Sequence, residues 1–296
     1  MRQVNALADV PYELRKHAKC FRSSQDTYLA KPQDIELQGS IRREQISSPV
    51  GTIHMRWPRK VETQFGRTPL RAMTDVANTV SKALRRASFP SRLQSLNLEW
   101  QVIFLDAELP ETQIPAYLIA NCHPGWMTPP ANIYIVAQRV TGGCSNTRVP
   151  ERVADKELAE VLVHEMGHAI EYHLLEGTNG GDRMRAEGFA TWFEGYASDF
   201  SSLLNSRNII DEQKRRAKAS IQQSQGYFAF KGSAEDYARA AMNFYAISSR
   251  RGVSSLIDVY ERMVRDNVGF MVAVDKELDW DAERLAEEIG KFLGAR

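Results

Sequence analysis

The stretch VHEMGHAIEYH, Val163–His173, puts three histidines and two glutamates into eleven residues. On a helix at about 100° per residue, His164 and His168 lie within about 40° of each other, one turn apart, so both imidazoles can reach one ion. His173 falls about 180° away and drops out of the set. Glu165 sits about 100° round from His164, where a carboxylate can reach a water on a metal without taking a ligand position. Val161, Leu162, Met166, Ala169 and Ile170 make the segment apolar around much of its girth. The histidines and glutamates among them are therefore expected to be buried, and buried polar groups need partners.

A zinc ion with a hydrolytic water needs a third protein ligand. The next helical segment, RAEGFATWFEGY (185–196), places Glu187, Thr191 and Glu194 on one face at offsets of zero, four and seven. An antiparallel helix pair joined by the turn EGTNGGD (176–182) would present that face to the two histidines. Glu187 is then the expected third ligand of one Zn2+. Thr191 is placed to hydrogen-bond the far nitrogen of a ligating histidine, and Glu194 either to do the same or to meet substrate. Glu171 shares the face of His164 and His168. It is read as a histidine partner, a substrate contact or a solvated charge, the last preferred.

Outward from this motif the chain changes character near Pro150. Residues 1–46 are polar and irregular and read as an arm or surface wrap. Residues 47–150 form a mixed lobe. IHMRW (53–57), LEWQVIFL (98–105), AYLIA (116–120) and NIYIVAQRV (132–140) are strand-like, and Met73, Val76, Val80 and Leu84 recur at helical spacing. Residues 151–296 read as helical, with segments at 151–176, 182–204, 234–250, 253–265 and 278–293. The expected class is α+β: a strand-rich N-terminal lobe with a covering helix against a helical C-terminal lobe, one domain with a cleft at the junction.

Composition narrows the partners. The chain has 296 residues, 43% hydrophobic and 25% charged, and its 38 basic and 37 acidic residues leave a net charge of +1. No overall field attracts nucleic acid or an anionic membrane, and no apolar run approaches the roughly 20 residues of a membrane span. The arginine pairs at 215–216 and 250–251 read as solvated helix faces. The first residues lack a signal peptide's apolar run, so the expectation is a cytoplasmic protein, or a periplasmic or secreted one numbered after a removed leader. Cys20, Cys122 and Cys144 lack paired metal-binding spacing, and a Cys122–Cys144 disulfide is left open. No feature sets an oligomeric state.

HEMGH followed after 18 residues by the glutamate of EGFA resembles the gluzincin metallopeptidases, and the aminopeptidase N group among them. EDYARAAMNFYAISSRRGVSSLIDVYERM (235–263) is similar to the helix that carries that group's transition-state tyrosine, with Tyr237 in its place. The resemblance covers roughly residues 130–265. It implies a zincin-like fold, one zinc ion on His164, His168 and Glu187, Glu165 as general base and Tyr237 as oxyanion donor, with Tyr227 and Tyr245 as competitors. It departs at PPANIYIVAQRV (129–140), which lacks the group's amine-gripping glutamate. The short chain looks more like compact bacterial gluzincin-like peptidases.

The chemistry expected is hydrolysis of a peptide or protein substrate by a metal-activated water. An endopeptidase is preferred, with an aminopeptidase and a non-catalytic, metal-stabilised binding protein as alternatives. NIYIVAQRV is the expected strand for pairing with an extended peptide, its other reading being an interior strand. The loop NCHPGWMTPP (121–130) would bring His123 and Trp126 over the cleft.

Overall fold

In GTIHMRWP the apolar residues alternate, and the strand they form, β2 (Gly51–Pro58), buries Ile53, Met55 and Trp57 and leaves Thr52, His54 and Arg56 partly exposed. It belongs to a five-stranded sheet in a computed structural model that describes residues 37, 39–65, 67–86, 89–105, 123–136, 139–140, 154–178, 182–223, 230 and 232–294. Most of the N-terminal arm, AYLIA, the three cysteines and Tyr227 lie outside the described residues.

The strand order is β1-β2-β3-β5-β4, with β1 at Ile41–Ser48, β3 at Leu98–Leu105, β4 at Gly125–Thr128 and β5 at Asn132–Val136. β1 pairs antiparallel with β2, β2 and β5 run parallel to β3, and β4 pairs antiparallel with β5. Two expectations change here. Residues 41–46, read as arm, belong to β1. As an outer strand carrying Arg42, Arg43, Glu44 and Gln45, it has no apolar alternation to announce it. NIYIV is interior, held between β3 and β4, so the outermost described strand on that side is GWMT, read from sequence as loop. Four residues are too few to show a period of two. Their strand character comes from pairing with β5, where Trp126 stacks on Tyr134 at 4.9 Å.

The expected covering helix is α1 (Thr68–Arg86), whose Ala72, Met73, Val76, Val80 and Leu84 enter the same core as the inner face of the sheet. The helical half follows: α2 (Asp155–Leu174), α3 (Arg183–Ala197), α4 (Ser206–Gln223), α5 (Ala234–Arg251), α6 (Val253–Asp266), α7 (Phe270–Leu278) and α8 (Ala282–Phe292). α7 was not expected, and of α4 only the arginine pair at 215–216 was read as helical. α4 turns Ile209, Gln213, Ala217 and Ser220 inward, an inner face too polar to read as an apolar stripe. No described helix is long and apolar enough to cross a membrane. The architecture is α+β, and α2 lies at its centre, packed on α1, α3, β4 and β5.

Candidate metal centre

The helices α2 and α3 meet where side chains are smallest. A Cβ on Gly167 would come within 3.0 Å of Ala190 Cα, so this glycine lets two backbones approach as an alanine would not. Gly188, next to Glu187, lies equally close to α5: a Cβ there would meet Phe244 Cε2 at 2.7 Å and the Ala240 backbone at 2.9 Å. Helix α3 starts on Asp182, whose carboxylate accepts from Arg185 N at 2.9 Å. Helix α5 starts on Ser233 and Asp236, each side chain accepting the other's backbone N–H, which fixes the turn that carries Tyr237.

Close approach brings His164, His168 and Glu187 together. One ligand atom from each lies within 4.8 Å of the others. Glu187 Oε2 is 3.4 Å from His164 Nε2 and 3.3 Å from His168 Nε2. Donors bound tetrahedrally at about 2.0–2.1 Å from one ion stand roughly 3.3–3.4 Å apart, so these separations suit a small divalent cation. Glu194 Oε2 lies 3.6 Å from His164 Nδ1, behind the ligand face. Glu165 is buried beside His164, His168 and Glu187, and its Oε2 has no hydrogen-bond partner among the described residues. An acceptor left unmatched at that depth is costly unless something that donates to it enters the site.

Electrostatics point the same way. Burial opposes charge on His164, but hydrogen bonds to Glu187 and Glu194 outweigh it and push the imidazole's pKa up to about 10. Burial also opposes the Glu187 anion, and His168 and His164 nevertheless hold it well below the usual carboxylate range. Burial raises Glu165.

Tyr237 lies over this group, its ring stacked on His164 at 6.1 Å. Its hydroxyl accepts from Arg183 Nη2 at 3.1 Å and is 3.2 Å from His123 Nε2. Arg183 Nε also reaches Glu187 Oε1 at 3.6 Å, so one guanidinium joins the carboxylate to the tyrosine. Burial and then the Glu187 charge push the phenol upward, against Arg183, which keeps it protonated. His123 is driven by burial down to about 4 and stays neutral. The loop residue His123 therefore does lie at the site, as a partner of Tyr237.

Other assignments change. Thr191 Oγ1 has no hydrogen-bond partner among the described residues, and it is Glu194 that faces the far nitrogen of His164. Glu171 is not a solvated charge: at 2% exposure it pairs with Arg185 Nε at 2.8 Å and accepts from Tyr260 Oη at 2.6 Å. Its face of α2 is covered by α3 and α6, which no pattern within α2 could reveal. Tyr245 donates to Gln213 Oε1 at 2.7 Å, a buried bond between α5 and α4 rather than a site contact. His173 bonds the Pro130 backbone at the β4–β5 turn, on the far side as expected. Arg183 was missed, although its position four residues before Glu187 places it on the ligand face.

No family model matches the chain, and no curated protein matches it.

Proposed function

We propose that the protein is a zinc-dependent metallopeptidase of zincin-like fold, cleaving peptide or protein substrates by attack of water. The observation that carries this reading is the convergence of His164, His168 and Glu187 beside a buried Glu165 with an unmatched oxygen. A site needed only for structure would have no use for a second, non-ligating carboxylate at its centre. The donor set, two imidazoles and a carboxylate, is the one zinc takes in hydrolytic sites.

His164, His168 and Glu187 would hold the ion, with Glu194 orienting His164 through Nδ1. Zinc, when bound, supplies Lewis-acid polarisation of the scissile carbonyl and a water of lowered pKa. Glu165 takes the proton that the attacking water sheds and passes it to the leaving amine. Tyr237, protonated and held by Arg183 and His123, donates to the oxyanion that develops on the carbonyl. The β4–β5 end of the sheet packs against α2 and offers the strand direction along which an extended peptide would lie.

An internal cut is favoured over an N-terminal one. Of the two site carboxylates able to grip a free amine, Glu171 is committed to Arg185 and Glu194 faces His164 Nδ1 at 3.6 Å, while β5 carries none. The test is Glu165→Gln in zinc-loaded protein against a peptide library. It should bind zinc one to one and lose about 10²–10⁴-fold in turnover. Wild-type rates in that variant would remove Glu165 from the chemistry. Zinc binding with a raised melting temperature and no cleavage by the wild type would identify a metal-stabilised binding protein instead.

A further inference from the structure

A cavity of about 260 Å³ opens against His164, between α2, α3, α4 and α5. Its inner wall holds more acceptor oxygens than the donors beside them engage. Thr191 is 6% exposed, and its Oγ1 makes no hydrogen bond among the described residues. Among the described residues the only ion pair of Glu194 is the 3.6 Å one with His164. Gln213 is turned to other partners: its Nε2 donates to Thr191 O at 3.0 Å and its Oε1 accepts from Tyr245. Glu160, one turn before His164, adds a second carboxylate to the wall. Burial first, and then the Glu194 charge, raise its pKa, so the two anions repel across the space.

The wall's cations stand at the rim. Lys156, 54% exposed, is 3.7 Å from Glu160, and Arg216, 41% exposed, is held by Glu212 at 2.7 Å. A ligand group that enters therefore meets two carboxylates, which only accept, and a hydroxyl whose oxygen can accept beside them. Complementarity requires a positive charge carrying several N–H donors.

We propose that this cavity recognises a cationic nitrogen group of the substrate, an ammonium or guanidinium, through Glu194, Glu160 and Thr191 Oγ1. The inference rests on the peptidase reading for its substrate class. Within that class the group is either a Lys or Arg side chain next to the scissile bond or a free N-terminal amine, and the experiment separates the two.

Glu165→Gln protein loaded with zinc is titrated, by chemical-shift perturbation, with three probes. Nα-acetyl-lysine methylamide carries only a basic side chain, norleucine methylamide only a free amine, and Nα-acetyl-norleucine methylamide neither. One cationic probe should bind about tenfold tighter than the neutral one, the order of one charge-assisted hydrogen bond. That advantage should shrink when Glu160→Gln or Thr191→Val is added, with melting temperatures confirming that each variant is folded. Equal binding of all three probes, or an advantage untouched by both changes, overturns the proposal. The two readings fail separately. A wild type that cleaves peptides yet shows no cation preference sinks the pocket alone, and a cation preference in a wild type that cleaves nothing sinks the peptidase alone.

Discussion

Replacing Glu171 by alanine takes the anion out of a pocket that remains closed around Arg185. In the folded protein Arg185 Nε and Tyr260 Oη converge on Glu171 Oε1 at 2.8 and 2.6 Å, and the paired side chains are 3% and 2% exposed. Burial opposes the guanidinium's charge, and Glu171, Tyr260 and Asp182 together more than offset it. Breaking such a pair from one side costs about 3–5 kcal/mol, because the surviving charge is stranded without water. Asp182 stays behind and compensates part of it, which favours the lower figure, while the Tyr260 hydroxyl loses its acceptor at about 1 kcal/mol more. The expected loss is thus about 4 kcal/mol, out of a total that for ordinary domains is about 5–15 kcal/mol. Urea unfolding in a chelator, which keeps metal linkage out of the comparison, measures it as a shift in midpoint at constant slope. Glu171→Leu with Arg185→Met should recover much of the loss, since replacing both partners removes the stranded charge. A loss under about 1 kcal/mol in the single variant, or strictly additive losses in the double one, would refute the claim that this pair is sealed.

Tyr237→Phe should lower kcat about 10²–10³-fold with little change in KM, the signature of a donor used in the transition state; an equal loss in Tyr245→Phe would contradict the assignment. Gly188→Ala should destabilise by about 1–3 kcal/mol, because its Cβ meets backbone at Ala240 and cannot be relieved by a side-chain turn; a neutral thermal melt would show that α3 and α5 are less tightly apposed. Asp75 on α1 accepts from Ser201 Oγ at 2.5 Å and from Ser202 N at 3.0 Å, and although burial works against its charge these bonds hold its pKa below the usual 3.8. A depressed carboxylate contributes stability that is present above its unfolded pKa and lost as pH falls through the folded one. Asp75→Asn should therefore flatten the decline in melting temperature below about pH 4, and an unchanged acid limb would count against the bond.

How much of this was legible in the sequence depends on where the determining contacts lie. The grouping of His164, His168 and Glu187 was, because the two histidines are related within one helix and Glu187 through a short hairpin, and helical spacing fixes such relations. The covering helix was, because Met73, Val76, Val80 and Leu84 repeat with the helical period. Strand order was not. β3 and β5 are parallel neighbours joined through a long connection, and the place of β4 outside β5 depends on pairing that leaves no mark in GWMT. Glu171 was misread for the same reason. Its partners Arg185 and Tyr260 stand 14 and 89 residues away, and nothing in their local sequence names it.

The charges around the two helices are the physical argument for a resident cation. Glu165, Glu187 and Glu194 are three carboxylates gathered about two imidazoles, with Arg183 the cation that the described residues place on Glu187. Buried anions in that number require positive charge nearby, because desolvation alone is prohibitive. Without a metal the protein answers with protons: His164 is pushed up to about 10, which makes it imidazolium at neutral pH, while Glu187 is held well below its ordinary value. A proton on His164 occupies the lone pair that a ligand would offer to an ion, so metal and proton compete for one position. On this argument zinc uptake should release protons and tighten as pH rises. A surface helix with a merely polar face would show neither the burial, nor the raised histidine, nor the unmatched Glu165 oxygen.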